Sequence, residues 1–370
     1  MALAVALALG CYPRVYRPSF VAAPFVAPFT APPALVTEVY SKSSSQQASP
    51  HIDGTASAPS PHPKHATLSV LGAGAWGSAL AGLARFNGCP VQVWSRQGSL
   101  SLDQVVTSGD VLLSAISMAG VPETIAKIQA IGLPAHTVIV SATKGLDAAT
   151  LQTPLRIWQA AFPQHPMVVI SGPNLAQEIE EGLPAATVVA STQPEAAQIV
   201  RDVFASDRFR VYTNGDPVGT ELGGTLKNVI AIAVGVCDGL QLGTNAKSAL
   251  ITRALPEVLR IGTHLGGQRE TFFGLSGLGD MLATCNSALS RNYQVGYGLA
   301  QGKTLDQVMT HLKGTAEGVN TTHVLMKIAE REKISMPISA QVYRLLNGLV
   351  TPQDGVVALM DRELKPERIL

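Results

Sequence analysis

The stretch Thr67-Leu68-Ser69-Val70-Leu71-Gly72-Ala73-Gly74-Ala75-Trp76-Gly77 decides the fold class of this chain. Its first five residues read as a short strand, and Ser78 to Phe86 behind it reads as a helix. Between them stands a G-x-G-x-x-G turn. The first glycine permits a tight turn, the second lets a pyrophosphate approach the backbone, and the third allows close helix-to-strand packing. A pyrophosphate would then face the N-terminus of the helix. Glycine-rich turns are common, so the flanking strand and helix are what make Gly72, Gly74, Ala75, Trp76 and Gly77 candidate dinucleotide contacts.

Outward from this turn, Val91 to Trp94 reads as a second strand that ends at Ser95-Arg96. An NAD-selective site usually places a carboxylate there. A hydroxyl and a guanidinium suit the 2′-phosphate of NADP instead, although NAD is not excluded and a surface arginine would look the same. Further strands are expected at Val111 to Ile116, Thr137 to Ser141, Met167 to Ile170, Ala186 to Ala190 and Phe209 to Tyr212. Helices are expected at Leu102 to Thr107, after Pro122, at Leu175 to Glu181 and at Pro194 to Phe204. Alternation of this kind predicts an α/β fold with a mostly parallel, doubly wound sheet of Rossmann type. Lys144 in Ala142-Thr143-Lys144-Gly145 and Gly172 in Ser171-Gly172-Pro173-Asn174 would sit at strand C-termini, where such sheets bind ligands.

From Asp216 onward strand-like runs disappear and helical periodicity takes over, so an all-helical second domain is expected. Asp216 is a good N-cap and Pro217 suits the first helical position, so a helix should run through Gly223-Gly224-Thr225-Leu226-Lys227-Asn228 and the apolar segment beyond. Two mid-helix glycines cost roughly 1 kcal/mol each relative to alanine, which asks for a reason. Either they permit close packing, or they leave room for a substrate beside the Lys227 stem. Gly274-Leu275-Ser276-Gly277-Leu278-Gly279-Asp280 reads as a turn that delivers an acid to a helix start. Ser290-Arg291-Asn292 opens another helix with Ser290 as N-cap, a set of donors competent to hold a phosphate. The domain limits that follow are 1–66 for a leader, 67–215 for the dinucleotide-binding domain and 216–370 for the helical domain.

The leader stands apart in composition. Residues 1–66 hold 10 of the 24 prolines, four basic residues and only two acids, Glu38 and Asp53. Such an acid-poor, Ala- and Ser-rich, Pro-interrupted segment reads as an organellar transit peptide, with the plastid stroma as the expected destination. The apolar run Ala2 to Leu9 makes a secretory or two-step route the alternative. Without the leader, 23 basic and 24 acidic residues remain, so no global basic field for nucleic acid or acidic membrane exists. No stable membrane insertion is expected. His62 and His65 read as linker rather than metal ligands, and the four scattered cysteines as reduced thiols.

Taken together, Gly72-x-Gly74-x-x-Gly77, Ala142 to Gly145, Ser171-Gly172-Pro173, Leu226-Lys227-Asn228, Gly277 to Asp280 and Ser290-Arg291-Asn292 resemble the NAD(P)-dependent glycerol-3-phosphate dehydrogenases of the bacterial type. The resemblance covers about residues 67 to 365, in the order the family has them. It implies interconversion of dihydroxyacetone phosphate and sn-glycerol 3-phosphate with NAD or NADP. On matching positions it implies Lys227 as proton donor and acceptor, with Lys144 and Asp280 lining the catalytic site. Gly172, Asn174, Ser290, Arg291 and Asn292 correspond to substrate positions, and Ala176, Arg291 and Glu317 to cofactor positions, with Lys144 near both. Asn174 stands where many members carry a hydroxyl residue. The interval after Arg96 is shorter than in most members and is similar to a cyanobacterial subgroup. The expected partners are a small phosphate substrate and, as an option, a second copy of the chain. The nearest rival is a β-hydroxyacid dehydrogenase acting on a small carboxylate, because that group shares the turn and a helix-borne lysine.

Overall fold

Near-continuous apolar runs such as Val111-Leu112-Leu113-Ser114 and Val138-Ile139-Val140-Ser141 are buried on both faces, which is the signature of strands covered by helices on two sides. The structure is a computed structural model that describes residues 66–312, 314–364 and 366–367. The expected leader, apart from Ala66, lies outside the described residues. Seven strands, β1 (Leu68–Leu71), β2 (Val91–Trp94), β3 (Val111–Ser114), β4 (Val138–Ser141), β5 (Met167–Ser171), β6 (Ala185–Ala190) and β7 (Phe209–Asn214), form one sheet in the order β2-β1-β3-β4-β5-β6-β7. All neighbours are parallel except β5 and β6. Strand order reverses between β1 and β3, and the Gly72 to Gly77 turn lies at that switch point, where ligands bind in open α/β sheets.

The helices of this half are α1 (Ala75–Phe86), α2 (Leu102–Val106), α3 (Val121–Ile131), α4 (Pro154–Ala161), α5 (Ala176–Glu180) and α6 (Pro194–Phe204). The short interval after Arg96 holds only the five-residue α2, closed by a capping box between Ser101 and Gln104. The chain therefore returns to the far side of β1, and β2 is left as the sheet edge. Sequence reading had no helix between Lys144 and Met167. The structure places α4 there, opened by Thr153 as N-cap and Pro154 at its first position, a start signal of the same kind as at Asp216-Pro217.

The helical half contains α7 (Pro217–Gly239), α8 (Gly243–His264), α9 (Asp280–Cys285), α10 (Arg291–Ala300), α11 (Leu305–His311), α12 (Glu317–Arg331), α13 (Pro337–Leu346) and α14 (Pro352–Met360). Helix α14 was also unexpected, because it buries none of its residues and so carries no strong amphipathic signal. Helix α7 starts as anticipated: Asp216 Oδ1 accepts from Gly219 N at 2.8 Å, and Oδ2 accepts from Gln268 N at 2.7 Å. It is the one described helix long and apolar enough to cross a bilayer, yet about nine-tenths of its apolar window is buried inside the protein. It packs on β5, β6 and α4 on one side and on α8, α9, α10, α12 and α13 on the other. One helix therefore belongs to both halves, and the described residues fall in a single compact unit.

Candidate active site

Three charged side chains meet where α7 passes the C-terminal edge of the sheet. Lys227 projects from the middle of α7, Asp280 is the first residue of α9, and Lys144 lies in the loop after β4. Lys227 Nζ donates to Asp280 Oδ1 and, at 2.6 Å, to Thr284 Oγ1. Lys144 Nζ donates to the other carboxylate oxygen, Oδ2, at 2.7 Å. Asp280 is 1% exposed and Lys227 8%, whereas Lys144 keeps 21% of its side chain open. The buried carboxylate therefore holds two cations, and the cluster opens through Lys144.

Burial is the main influence on Lys227 and disfavours its charged form; the Asp280 charge pulls the proton affinity back up, and the Lys144 charge lowers it again. The net effect moves the lysine from about 10.5 down to about 7. Desolvation, which outweighs both charges, exists only once α7 is wrapped on all sides.

The paired glycines have a more definite purpose than the room for substrate that sequence reading offered. A Cβ on Gly223 would lie 2.6 Å from Ser276 O and 3.0 Å from Gly277 Cα, so this glycine admits the backbone of the single π-helical turn Leu275–Gly279 that leads into Asp280. Gly223 thus serves close packing, the plainer of the two readings. A Cβ on Gly224 would lie 2.2 Å from Ser171 Oγ and 3.5 Å from Lys144 Cε, so its empty position is filled from the sheet side.

At the sheet edge, Gly72 has φ +109°, a conformation that side chains disfavour, and a Cβ on it would lie 2.7 Å from Ala115 O. A Cβ on Gly77 would strike Gly72 O. Gly74 and Ala75 are exposed, Trp76 is half-buried, and a Cβ on Gly74 would meet nothing within 4 Å. The N-terminus of α1 has no side-chain cap, so no capping side chain occupies the N–H groups of its first turn. Arg96 is exposed just beyond β2, near enough to Glu123 to favour that carboxylate's charged form. Ala176 opens α5. Gly172 lacks a side chain because β6 leaves no space: a Cβ would lie 2.9 Å from Thr187 Cα. Asn174 uses both ends of its amide on β6, donating to Ala186 O at 3.1 Å and accepting from Thr187 Oγ1 at 2.8 Å. That geometry gives Asn174 a loop-anchoring task.

Helix α10 packs along α7 by close helix crossing. A Cβ on Gly235 would lie 2.1 Å from Tyr293 O, and one on Gly296 1.8 Å from Ile232 O, so both helices need bare backbone there. Ser290 caps α10 by accepting from Tyr293 N at 3.2 Å. Arg291 is exposed, and its Nη1 lies over Gly314. Asn292 is buried and accepts from Gly318 N at 2.9 Å, which ties α10 to the start of α12. Glu317, the first residue of α12, accepts from Met118 N at 3.4 Å and feels the Arg291 charge, although burial raises its proton affinity on balance. It joins the helical half to the loop after β3.

Two residues of the site escaped sequence reading. Thr284 touches Lys227 and also donates to Asp280 Oδ1 at 3.3 Å; the i, i+4 spacing from Asp280 on α9 was the available signal. Glu221, six residues before Lys227 and only 3% exposed, gave no signal beyond its type.

A Rossmann-type sheet with a glycine turn at its switch point, and a lysine-carboxylate cluster beside it, define a nicotinamide-dinucleotide-dependent oxidoreductase. The family model described as NAD-dependent glycerol-3-phosphate dehydrogenase N-terminus matches residues 97–197, and the one for its C-terminus matches residues 216–357. The chain is 64% identical over 300 residues to a glycerol-3-phosphate dehydrogenase (NAD(P)+) of Acaryochloris marina, covering 81% of this chain and 97% of the relative. It is 62% identical over 298 residues to the one from Synechocystis, covering 80% and 94%. A crystal structure of glycerol-3-phosphate dehydrogenase from Coxiella burnetii superposes with a TM-score of 0.78 at 33% identity, over 81% of this chain and 100% of that one. The chain belongs to the NAD-dependent glycerol-3-phosphate dehydrogenase family.

Proposed function

We propose that this chain interconverts dihydroxyacetone phosphate and sn-glycerol 3-phosphate with NAD(P)H and so supplies glycerol 3-phosphate for glycerolipid and phospholipid synthesis. The observation that carries the reading is the Lys227-Asp280-Lys144 cluster, built from α7, α9 and the loop after β4. The residues present fit a dinucleotide: Gly72 and Gly77 make the cradle, Gly74 leaves open space, and the uncapped α1 offers N–H donors to a pyrophosphate. Bound there, a nicotinamide dinucleotide supplies or accepts the hydride at the substrate's C2.

The chain's own residues handle charge and proton. In reduction, protonated Lys227 stabilises the negative charge that grows on the C2 oxygen and then donates its proton there. Asp280 keeps the ammonium oriented, and Lys144 adds a second positive charge at the open side. In oxidation, neutral Lys227 takes the hydroxyl proton, and a lysine brought to about 7 is available in both forms near neutral pH. Arg291, Ser290 and the N–H groups of α10 hold the phosphate, which fixes C2 relative to Lys227. Arg96, exposed beyond β2 at the position where an NAD-selective site usually carries an acid, favours NADPH over NADH.

Residues 1–66 direct the protein to the plastid stroma in this reading. The enzyme is also read as a homodimer, joined through the face where Leu242, Met360 and Leu364 are exposed around a cleft of about 790 Å³. Arg253, Arg362 and Glu367 are exposed along that cleft, charges of both signs that a two-fold contact with a second copy would use.

A steady-state assay of dihydroxyacetone phosphate with NADPH and NADH tests substrate and cofactor together. Turnover on a 3-oxo acid but not on the keto-phosphate would favour the β-hydroxyacid reading instead. A fluorescent fusion of residues 1–66 tests the destination, and sedimentation of the protein with and without Met360→Glu tests the dimer.

A further inference from the structure

Lys144 is carried by a loop, residues 142–153, that has no regular secondary structure, yet it must keep its ammonium on Asp280. The loop organises its middle by itself: Asp147 Oδ2 accepts from Ala149 N at 3.2 Å, and from Thr150 N and Thr150 Oγ1 at 2.8 Å. Its two ends are held from outside, and both by one side chain. Ser141 Oγ, at the end of β4, donates to Glu221 Oε1 at 2.9 Å. Leu155 N, at the start of α4, donates to the same oxygen at 2.9 Å and to Oε2 at 3.2 Å, and Thr153 adds a side-chain hydrogen bond. One turn further along α7, Thr225 Oγ1 accepts from Gly145 N at 3.2 Å, next to Lys144 itself.

A carboxyl group buried to this degree carries a desolvation penalty, and burial pushes Glu221 up to about 7 in spite of its donors and the nearby Arg156. Glu221 touches none of Lys227, Asp280 or Lys144 among its hydrogen bonds. Capping α4 alone does not account for it, since Thr153 already accepts from Arg156 N at 3.4 Å. What distinguishes Glu221 is that its oxygens span the segment on both sides of Lys144, from the same helix that carries Lys227.

We infer that Glu221 is a positioning residue that clamps both ends of the Lys144 loop onto α7 and thereby fixes the spacing between Lys144 and the Lys227-Asp280 pair. The inference rests on the dehydrogenase reading above. The charged groups that face Lys227 are Asp280 from α9 and Lys144 from the loop. If the clamp loosens, the Lys144 charge recedes from Lys227 and Asp280 is left more fully to Lys227. Both changes favour the protonated lysine, so its apparent pKa rises.

The test is the pH profile of kcat/KM for dihydroxyacetone phosphate reduction by the full chain. It compares wild type, Glu221→Gln, Lys144→Ala and the double variant, with enzyme concentration raised where turnover is slow. Glu221→Gln is expected to lower kcat about 10-fold and to move the apparent pKa upward by roughly half a unit to one unit. Lys144→Ala is expected to move it in the same direction, and the double variant no further than Lys144→Ala alone, since Glu221 acts through Lys144. An unshifted profile in Glu221→Gln, or full additivity in the double variant, would overturn the inference. Should Glu221→Gln fail to fold, Ser141→Ala removes a single donor to the same carboxylate; it is expected to give a smaller shift of the same sign, and no shift overturns the inference equally. Wild-type turnover in the same series separates a failure of the clamp from a failure of the dehydrogenase reading.

Discussion

Lys227 on α7 donates directly to Asp280 on α9, across 53 positions of the chain, and the same carboxylate receives Lys144 on its other oxygen. The pair is buried, so the charges are felt at short range with little water between them. Proton affinity at Lys227 therefore depends on the fold as well as on the residue.

Because Lys227 is lowered to about 7, the two reaction directions should respond oppositely to pH. Reduction needs the ammonium and should fall as pH rises through about 7; oxidation needs the neutral amine and should rise over the same range. Stability carries its own sign. Between about 7 and 10.5 the unfolded lysine holds a proton that the folded one has released, so this group's contribution to stability increases with pH in that window. Profiles of kcat/KM in both directions check the first statement, and parallel limbs would refute it.

Lys227→Ala should reduce kcat between about 10²- and 10⁴-fold while leaving dinucleotide affinity nearly unchanged, the range expected for losing a general acid. Asp280→Asn removes the carboxylate bonded to both lysines, so the apparent pKa of Lys227 should fall further and reduction at neutral pH should slow. Kinetics together with dinucleotide titration decide this. A Lys227→Ala enzyme that keeps most of its kcat would exclude the catalytic role.

Thr284→Val keeps the volume but loses the hydroxyl that accepts from Lys227 at 2.6 Å. A loss of about 3- to 10-fold in kcat is expected, in line with one hydrogen bond to a charged group. Thermal melting should change little. A large drop in Tm with unaltered kcat would make Thr284 merely structural.

Arg291→Ala should act mainly on KM for dihydroxyacetone phosphate, raising it by roughly 10- to 100-fold, since a guanidinium-phosphate contact is a charge-assisted hydrogen bond. Arg291 is exposed, so folding should not suffer. An unchanged KM would remove the phosphate assignment.

Gly223→Ala and Gly224→Ala should differ although they are neighbours. At Gly223 the new methyl meets the backbone of Ser276 and Gly277, which cannot turn aside, and a loss on the order of 1–3 kcal/mol is expected together with reduced kcat through a displaced Asp280. At Gly224 the obstacle is the Ser171 hydroxyl, which can rotate, so the loss should be smaller. Equal Tm changes for the two variants would contradict this account.

Much of the molecule was legible in its residues. Local rules fixed the strand, glycine turn and helix at Thr67 to Phe86, because turn geometry and periodicity act within a dozen neighbours. They also located the Asp216-Pro217 helix start and the Ser290 cap, since caps satisfy backbone donors three residues away. What tertiary structure decided lies beyond that range. It set β6 antiparallel to β5, seated Gly223 against Ser276, turned the Asn174 amide to β6 and joined Glu221 to both ends of the Lys144 loop. It also set the proton affinity of Lys227. The sequence by itself determined which residue types were available for proton transfer and phosphate binding. Only the wrapping of α7 by sheet and helices determined how strongly each holds its proton, because desolvation depends on everything that surrounds a group and not on its neighbours in the chain.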